Sequence, residues 1–317
     1  MAYLITGGAG YLGSHIVDQL INNCGDDVVV IDDFSSGSLT RLPKDVQVIN
    51  CSISSPQLQT HTKYLKGITG MFHIAALKSV SESFQKPKLY EEVNFLGTSR
   101  LLDLCRDLDI PNFVFTSSAA VYGNSPVYEL INESFESLPI NPYGETKLKA
   151  EKYIQTYCDG NGISFCSLRI FNMSGAKNLN LNDNTATNVI PLLIRALNEQ
   201  SVFTIFETSG HTPDGSPIRD YIHVNDVSSA HILAMKIMEQ KQVLLPPFIN
   251  ISSGIGVSIL EIINVLETIT NKKVVFGYAP SRSGDPSFVI GDNALAKNSL
   301  NWFPSSDIWK IMRDSIF

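Results

Sequence analysis

Residues 3–15 read YLITGGAGYLGSH, a short apolar run that breaks into glycines and then into a helical pattern. Gly7, Gly10 and Gly13 stand three apart, and behind them Ile16, Val17, Leu20 and Ile21 recur at helical spacing. A strand that turns sharply into a helix leaves unpaired N–H groups at the helix's positive end, and glycines let an anion approach them. Such a pattern carries weight through its context, directly after the first expected strand and before a helix.

The next apolar run, VVVID at 28–32, places Asp32 about 20 residues past the glycines, where a carboxylate accepts hydrogen bonds from a ribose and repels a 2′-phosphate. Together these features predict a dinucleotide site that favours NAD over NADP. Further runs follow at VQVIN (46–50), MFHIA (71–75), FVFTS (113–117) and SFCSLRI (164–170), with polar or helical stretches between them. Continuous apolar runs suit parallel strands buried on both faces. The expected fold class is α/β, a doubly wound parallel (Rossmann) sheet over residues 1–170. Residues 171–317 would mainly form a smaller α/β lobe for substrate, with FINISS (248–253) a candidate strand returning to the sheet. NLNLNDNTATN (178–188) and ETSGHTPDGSP (207–217) read as surface loops and candidate lids.

The chain has 317 residues, 44% of them hydrophobic and 17% charged, enough for one large domain with a second lobe. A net charge of −7 and the lack of basic runs disfavour nucleic acid and anionic membranes as partners. No apolar run reaches the roughly 18 residues of a membrane span, and no signal segment opens the chain, so a cytoplasmic protein is expected. Five scattered cysteines without a C-x-x-C pair, and histidines that do not cluster, argue against a disulfide scaffold or a metal site.

Chemistry enters at NPYGETK, residues 141–147. Tyr143 and Lys147 lie four apart, on one face of an expected helix, where an ammonium can stabilise a phenolate. Ser117 and Ser118 follow the fifth strand and face the crevice at the carboxyl ends of the strands. A hydroxyl, a phenol and an ammonium beside a nicotinamide ring are what alcohol oxidation needs: the phenolate takes the hydroxyl proton while carbon releases hydride.

With HIAALKSVSES (73–83), VNFLGT (93–98), SSAAVYG (117–123), RIFNMSGA (169–176), PIRDYIHVNDVSSAH (217–231) and SRSGDP (281–286), the chain resembles the extended short-chain dehydrogenase/reductases over nearly its whole length. The last three blocks mark the nucleotide-sugar members, particularly the 4-epimerases. The resemblance implies Tyr143 as catalytic base, Lys147 as its partner and ribose ligand, and Ser118 as the hydroxyl that orients the sugar oxygen. It implies cofactor contacts from Tyr11, Leu12, Ser52, Ile53, Lys78 and Asn94 beside the glycines and Asp32. Lys78, Asn172, Asn188, Arg219, Arg282, Asp285 and Val289 would line the nucleotide-sugar side, the two arginines suiting a diphosphate.

The implied reaction interconverts UDP-glucose and UDP-galactose through a 4-keto sugar, hydride leaving for tightly held NAD and returning to the opposite face. Val289 stands where a larger residue narrows the sugar pocket in this family, so UDP-N-acetylhexosamines are expected substrates too. Ser52 replaces the family's usual acid beside adenine, and Ile170 its usual tyrosine before Phe171 and Asn172. Ala119 and Ala120 stand where the dehydrating relatives carry an Asp-Glu pair, which disfavours dehydration. The alternatives are another NAD-dependent nucleotide-sugar oxidoreductase or ketoreductase on the same Ser, Tyr and Lys, and a non-catalytic NAD-binding module. Stretches 90–105 and 143–158 carry apolar stripes (Val93, Leu101, Leu104; Leu148, Tyr153, Ile154) that usually face a core; the resemblance also implies that these helices pair in a homodimer.

Overall fold

The computed structural model describes residues 1–317 except 125–128, 184–187, 209–211, 242, 282–285 and 317. Each apolar run of the first half forms a strand: β1 (Ala2–Thr6), β2 (Asp27–Asp32), β3 (Gln47–Asn50), β4 (Gly70–His73), β5 (Asn112–Ser118) and β6 (Ser164–Ile170). Helices α1 (Tyr11–Gln19), α2 (Leu58–Thr62), α3 (Val80–Gln85), α4 (Pro87–Tyr90), α5 (Gly97–Asp107) and α6 (Pro142–Asn161) lie between them.

Successive side chains of a strand point to opposite faces, and here both faces are apolar. Tyr3, Ile5, Val28, Val30, Phe72 and Val114 join one core with Ile16, Val17 and Leu20 behind them. Leu4, Ile31, Met71, Phe113 and Phe115 join another, beneath Leu101, Leu104 and Ile154. A sheet covered twice has no polar face, so its strands read as unbroken apolar runs.

The rest of the chain forms β7 (Asn172–Ser174), α7 (Val189–Glu199), β8 (Phe203–Phe206), β9 (Ile218–His223), α8 (Val224–Gln240), β10 (Phe248–Ile251), β11 (Gly256–Ser258), α9 (Ile259–Thr270), β12 (Phe276–Ala279), β13 (Phe288–Val289), α10 (Ala294–Leu300) and α11 (Ile308–Arg313). All pairings in the large sheet are parallel, in the order β10-β6-β5-β4-β1-β2-β3. β9 anchors a small sheet with β7, β11 and β13, and β8 pairs with β12. A third core of Leu193, Leu197, Phe203, Ile262 and Leu266 holds α7, α9 and β8 together. α9 starts cleanly because Ser258 and Glu261 form a reciprocal capping box.

Two late elements return to the large sheet. α8 sends Val227, Met235 and Met238 into the core that α1 occupies, and Ile249 and Ile251 of β10 join them. Trp302, after α10, seals this side, its indole N–H donating to the Asp226 carbonyl at 2.9 Å.

Candidate active site

The strand order reverses between β1 and β4, the place where doubly wound sheets take ligands. Gly7 leaves β1 with φ of +71°, a left-handed position that favours glycine. A Cβ on Gly13 would stand 2.1 Å from the Gly7 carbonyl oxygen, so α1 lies against the turn only because that atom is missing. No side chain caps the helix at Gly10, and its first turn carries no acid. Those N–H groups are open to a pyrophosphate. Tyr11 and Leu12 are buried behind them, and the Tyr11 hydroxyl donates to the Gly175 carbonyl.

Asp32 ends β2 in a buried position, its Oδ2 accepting from Ala9 N at 2.9 Å and its Oδ1 from Phe34 N at 2.8 Å. Burial pushes this carboxyl above the usual range, and the two N–H bonds pull it back in part. The residue ties the glycine turn to β2 and keeps further lone pairs for ribose hydroxyls. An uncapped helix end, a turn that excludes Cβ atoms and a carboxylate at the second strand together fit NAD. Ser52 shares a hydrogen bond with the Ser54 hydroxyl at 3.2 Å, and Ile53 is buried in the core.

Asn94 lies on a π-helical stretch, Glu91–Leu96, and grips Leu77 at both backbone groups, accepting from its N–H at 2.8 Å and donating to its carbonyl at 3.0 Å. Its Nδ2 also reaches Thr146 Oγ1 at 3.2 Å, so both amide donors are engaged within the protein. Asn94 thereby fastens the loop bearing Lys78 to α6.

α6 begins where the sequence turns polar. Asn141 caps it by accepting from Gly144 N at 2.8 Å, and Pro142 supplies the first helical φ without wasting a donor. A Cβ on Gly144 would meet the Ala120 carbonyl oxygen at 2.5 Å, so the glycine after Tyr143 sets how closely α6 approaches the end of β5. Tyr143 is half-buried with its ring edge-on to Tyr90, centroids 6.5 Å apart. Burial raises its pKa, and the neighbouring Ser118 hydroxyl offsets part of that rise by hydrogen bonding. Ser118 also caps the turn at Ala119–Val121, accepting from Ala120 N at 3.2 Å.

Lys147 follows one turn further along α6. Its ammonium is buried over the Phe115 ring, 4.6 Å from the centroid, and donates to the Thr116 carbonyl at 2.8 Å. Burial lowers its pKa to about 7, partly opposed by the Glu151 carboxylate one turn on. Helical spacing puts Tyr143 and Lys147 on one face, but a strand carbonyl engages the ammonium. In this structure the Ser118 hydroxyl is the neighbour whose hydrogen bond lowers the Tyr143 pKa.

On the other side of the crevice, Lys78 lies 3.7 Å from Asp183 Oδ2, and Asn188 donates to the same oxygen at 2.9 Å as it starts α7. Asn172 in β7 pairs in register with Tyr221 of β9, and Arg219 with Val289 of β13. Arg219 is buried and donates to the Ile218 carbonyl at 2.9 Å. Val289 packs with Phe171, Tyr122, Val121 and Ile131. Ile170 stands opposite Ser118 at the end of β6. Arg282 and Asp285 lie outside the described residues.

Sequence reading missed Asp183, the shared partner of Lys78 and Asn188, because nothing marks one acid within a polar loop. It also missed Glu151 and Arg169, although Glu151 continues the helical face of Tyr143 and Lys147. Among the described residues, no helix is long and apolar enough to cross a membrane, and no cluster of His, Cys, Asp or Glu could hold a metal ion.

Residues 3–250 match the model of the NAD dependent epimerase/dehydratase family. A UDP-glucose 4-epimerase of Corynebacterium glutamicum is 35% identical over 318 residues, covering 99% of this chain and 94% of the relative. The crystal structure of UDP-glucose-4-epimerase from Stenotrophomonas maltophila, with bound NAD and formylated UDP-arabinopyranose, is 31% identical with a TM-score of 0.90, covering 100% of this chain and 97% of that one. That of UDP-glucose 4-epimerase from Brucella ovis in complex with NAD is 34% identical with a TM-score of 0.90, covering 99% and 97%.

Proposed function

This chain belongs to the NAD dependent epimerase/dehydratase family, and we propose from that premise that it interconverts UDP-glucose and UDP-galactose with NAD as its resident cofactor. The observation that carries the reading is the close approach of α6 to the end of β5, where Gly144 lies against the Ala120 carbonyl and the Lys147 ammonium bonds to Thr116 O, with only Ala119 and Ala120 after Ser118. Alanine side chains transfer no protons, so oxidation at C4 is not followed by elimination.

NAD, when bound, supplies a hydride acceptor and later donor at the sugar's C4. The chain's residues do the rest. Tyr143 accepts the C4 hydroxyl proton and returns it after the sugar has turned, while Ser118 holds the oxygen. Gly7, Gly10, Gly13 and Asp32 hold the dinucleotide, with Lys78 reaching both ligands. Asn172, Asn188 and Arg219 hold the nucleotide part of the substrate, together with Arg282 and Asp285 by family resemblance, the two arginines taking the diphosphate, so that the hexose alone is free to rotate. Val289 leaves room beside this pocket for a 2-acetamido group, which extends the substrate range to UDP-N-acetylhexosamines.

We assign the protein to the cytoplasm and to a homodimer. Leu89 and Leu96, exposed near the start of α5, support the second assignment as apolar surface beside helices that pair in this family. The test of function is turnover of UDP-galactose by purified protein with no NAD added. UDP-glucose formed in excess of protein supports the reading; no product, even with NAD supplied, overturns it.

A further inference from the structure

Three consecutive residues at the end of β5 meet three residues on successive turns of α6. Thr116 O accepts from the Lys147 ammonium at 2.8 Å, the Ser117 hydroxyl donates to Glu151 Oε1 at 2.5 Å, and the turn capped by Ser118 lies so close to α6 beside Tyr143 that a Cβ on Gly144 would stand 2.5 Å from the Ala120 carbonyl oxygen. Only the outer two contacts involve groups assigned to chemistry. The middle one is fully buried and rests on a second pair: Arg169 of β6 donates from Nε to Glu151 Oε1 at 2.9 Å and from Nη2 to Oε2 at 2.7 Å. Aromatic rings confine the guanidinium, Tyr122 at 4.8 Å and Phe248 at 4.6 Å, and Tyr122 is itself fixed by a hydrogen bond to Asn250 Oδ1 at 2.6 Å.

A buried carboxylate is costly to maintain unless its bonds are complete. Here it accepts from both a guanidinium and a hydroxyl, and it spans β5, β6 and α6 at the depth of the reacting groups. We propose that Glu151, clamped by Arg169, is a positioning residue that staples the end of β5 to α6 through Ser117 and so fixes Ser118 against Tyr143. The pair touches neither substrate nor cofactor; it acts through the strand. This assignment rests on the epimerase reading for its effect on turnover, but its structural consequence can be read without any turnover.

The charged and titratable groups around the staple are Lys147 and Tyr143 on α6, Arg169 on β6, and Tyr122 beside the guanidinium. Because Ser118 lowers the Tyr143 pKa, loosening the staple weakens that bond and moves phenol ionisation upward. The experiment is a phenolate absorbance titration of the purified protein, each variant compared with its own Tyr143→Phe derivative so that Tyr143 alone is read. Ser117→Ala removes one hydroxyl and leaves the Arg169 pair; Glu151→Gln removes the charge.

The expected result is an upward shift of the Tyr143 midpoint in both variants, larger in Glu151→Gln. A loss of kcat of roughly tenfold should accompany it, with KM for UDP-galactose unchanged. If Glu151→Gln fails to fold, Ser117→Ala decides. A folded Ser117→Ala protein whose Tyr143 midpoint matches the parent overturns the proposal, as does a lowered melting temperature with an unmoved midpoint. A parent protein that does not turn over UDP-galactose sinks the epimerase reading and leaves the titration to judge the staple.

Discussion

Lys147 donates to the Thr116 carbonyl oxygen at 2.8 Å, from within a pocket walled by the Phe115 ring. The bond fixes the ammonium beneath the end of β5, and burial brings its pKa down to about 7. At neutral pH this lysine is therefore near its midpoint, and its charge depends on Glu151 behind it.

The sign of the stability effect follows from that shift. The folded pKa lies below the unfolded value of 10.5, so between the two the unfolded chain binds more protons and stability rises with pH. Below about 7 the lysine is charged in both states and the full burial penalty stands. Lys147→Met should thus raise the melting temperature, most at and below pH 7, with a gain that shrinks towards pH 10.5, while turnover collapses. Parallel pH series of thermal unfolding measure this; a gain that grows with pH contradicts it.

Gly144→Ala places a methyl 2.5 Å from the Ala120 carbonyl oxygen. Backbone must move, at a cost of about 1–3 kcal/mol, and the movement separates α6 from the strand that carries Ser118. Activity should fall much further than stability. Melting curves alongside initial rates decide it, and full activity in a folded variant would show that this spacing is unimportant.

Asp32→Ala removes the acceptor of the Ala9 and Phe34 N–H bonds. Bonds to a charged group contribute about 1.5–3 kcal/mol, so NAD should be held at least tenfold less tightly and NADP discriminated against less. Cofactor content after purification and titration with both dinucleotides test this; unchanged NAD preference refutes it.

Val289→Tyr enlarges a side chain packed beside Phe171 and directly opposite Arg219 in the strand register. We expect loss of turnover with UDP-N-acetylgalactosamine and retention with UDP-galactose. Equal loss on both substrates would mean that Val289 serves packing alone.

The strands of the sheet were legible in the sequence because burial on both faces makes neighbouring residues apolar together, as in LI at 4–5 and MF at 71–72. The glycine turn was legible because backbone proximity excludes side chains, a constraint written directly as Gly7 and Gly13. The fate of the Lys147 charge was not, because periodicity gives the face of a helix but not which carbonyl of a neighbouring strand waits there. Nor was Asp183, whose meaning comes from Lys78 and Asn188, far apart in sequence or lying in a loop without periodicity. Asn94 was named by resemblance, but its grip on Leu77 arises from tertiary packing that no local pattern announces.

The core over α1 is completed by α8, β10 and Trp302, which gives the protein a particular order of assembly during translation. The ribosome releases the glycine turn and six strands of the sheet long before residues 227–302 exist to cover them. A chain halted near residue 170 bears the apolar flank of β6 and the outer side of α1 uncovered, surface that attracts chaperones or other nascent chains. Protease sensitivity of ribosome-stalled lengths should accordingly persist through residue 250 and disappear only after Trp302 has emerged. The dinucleotide turn is the first part of the molecule to be made and among the last to become secure.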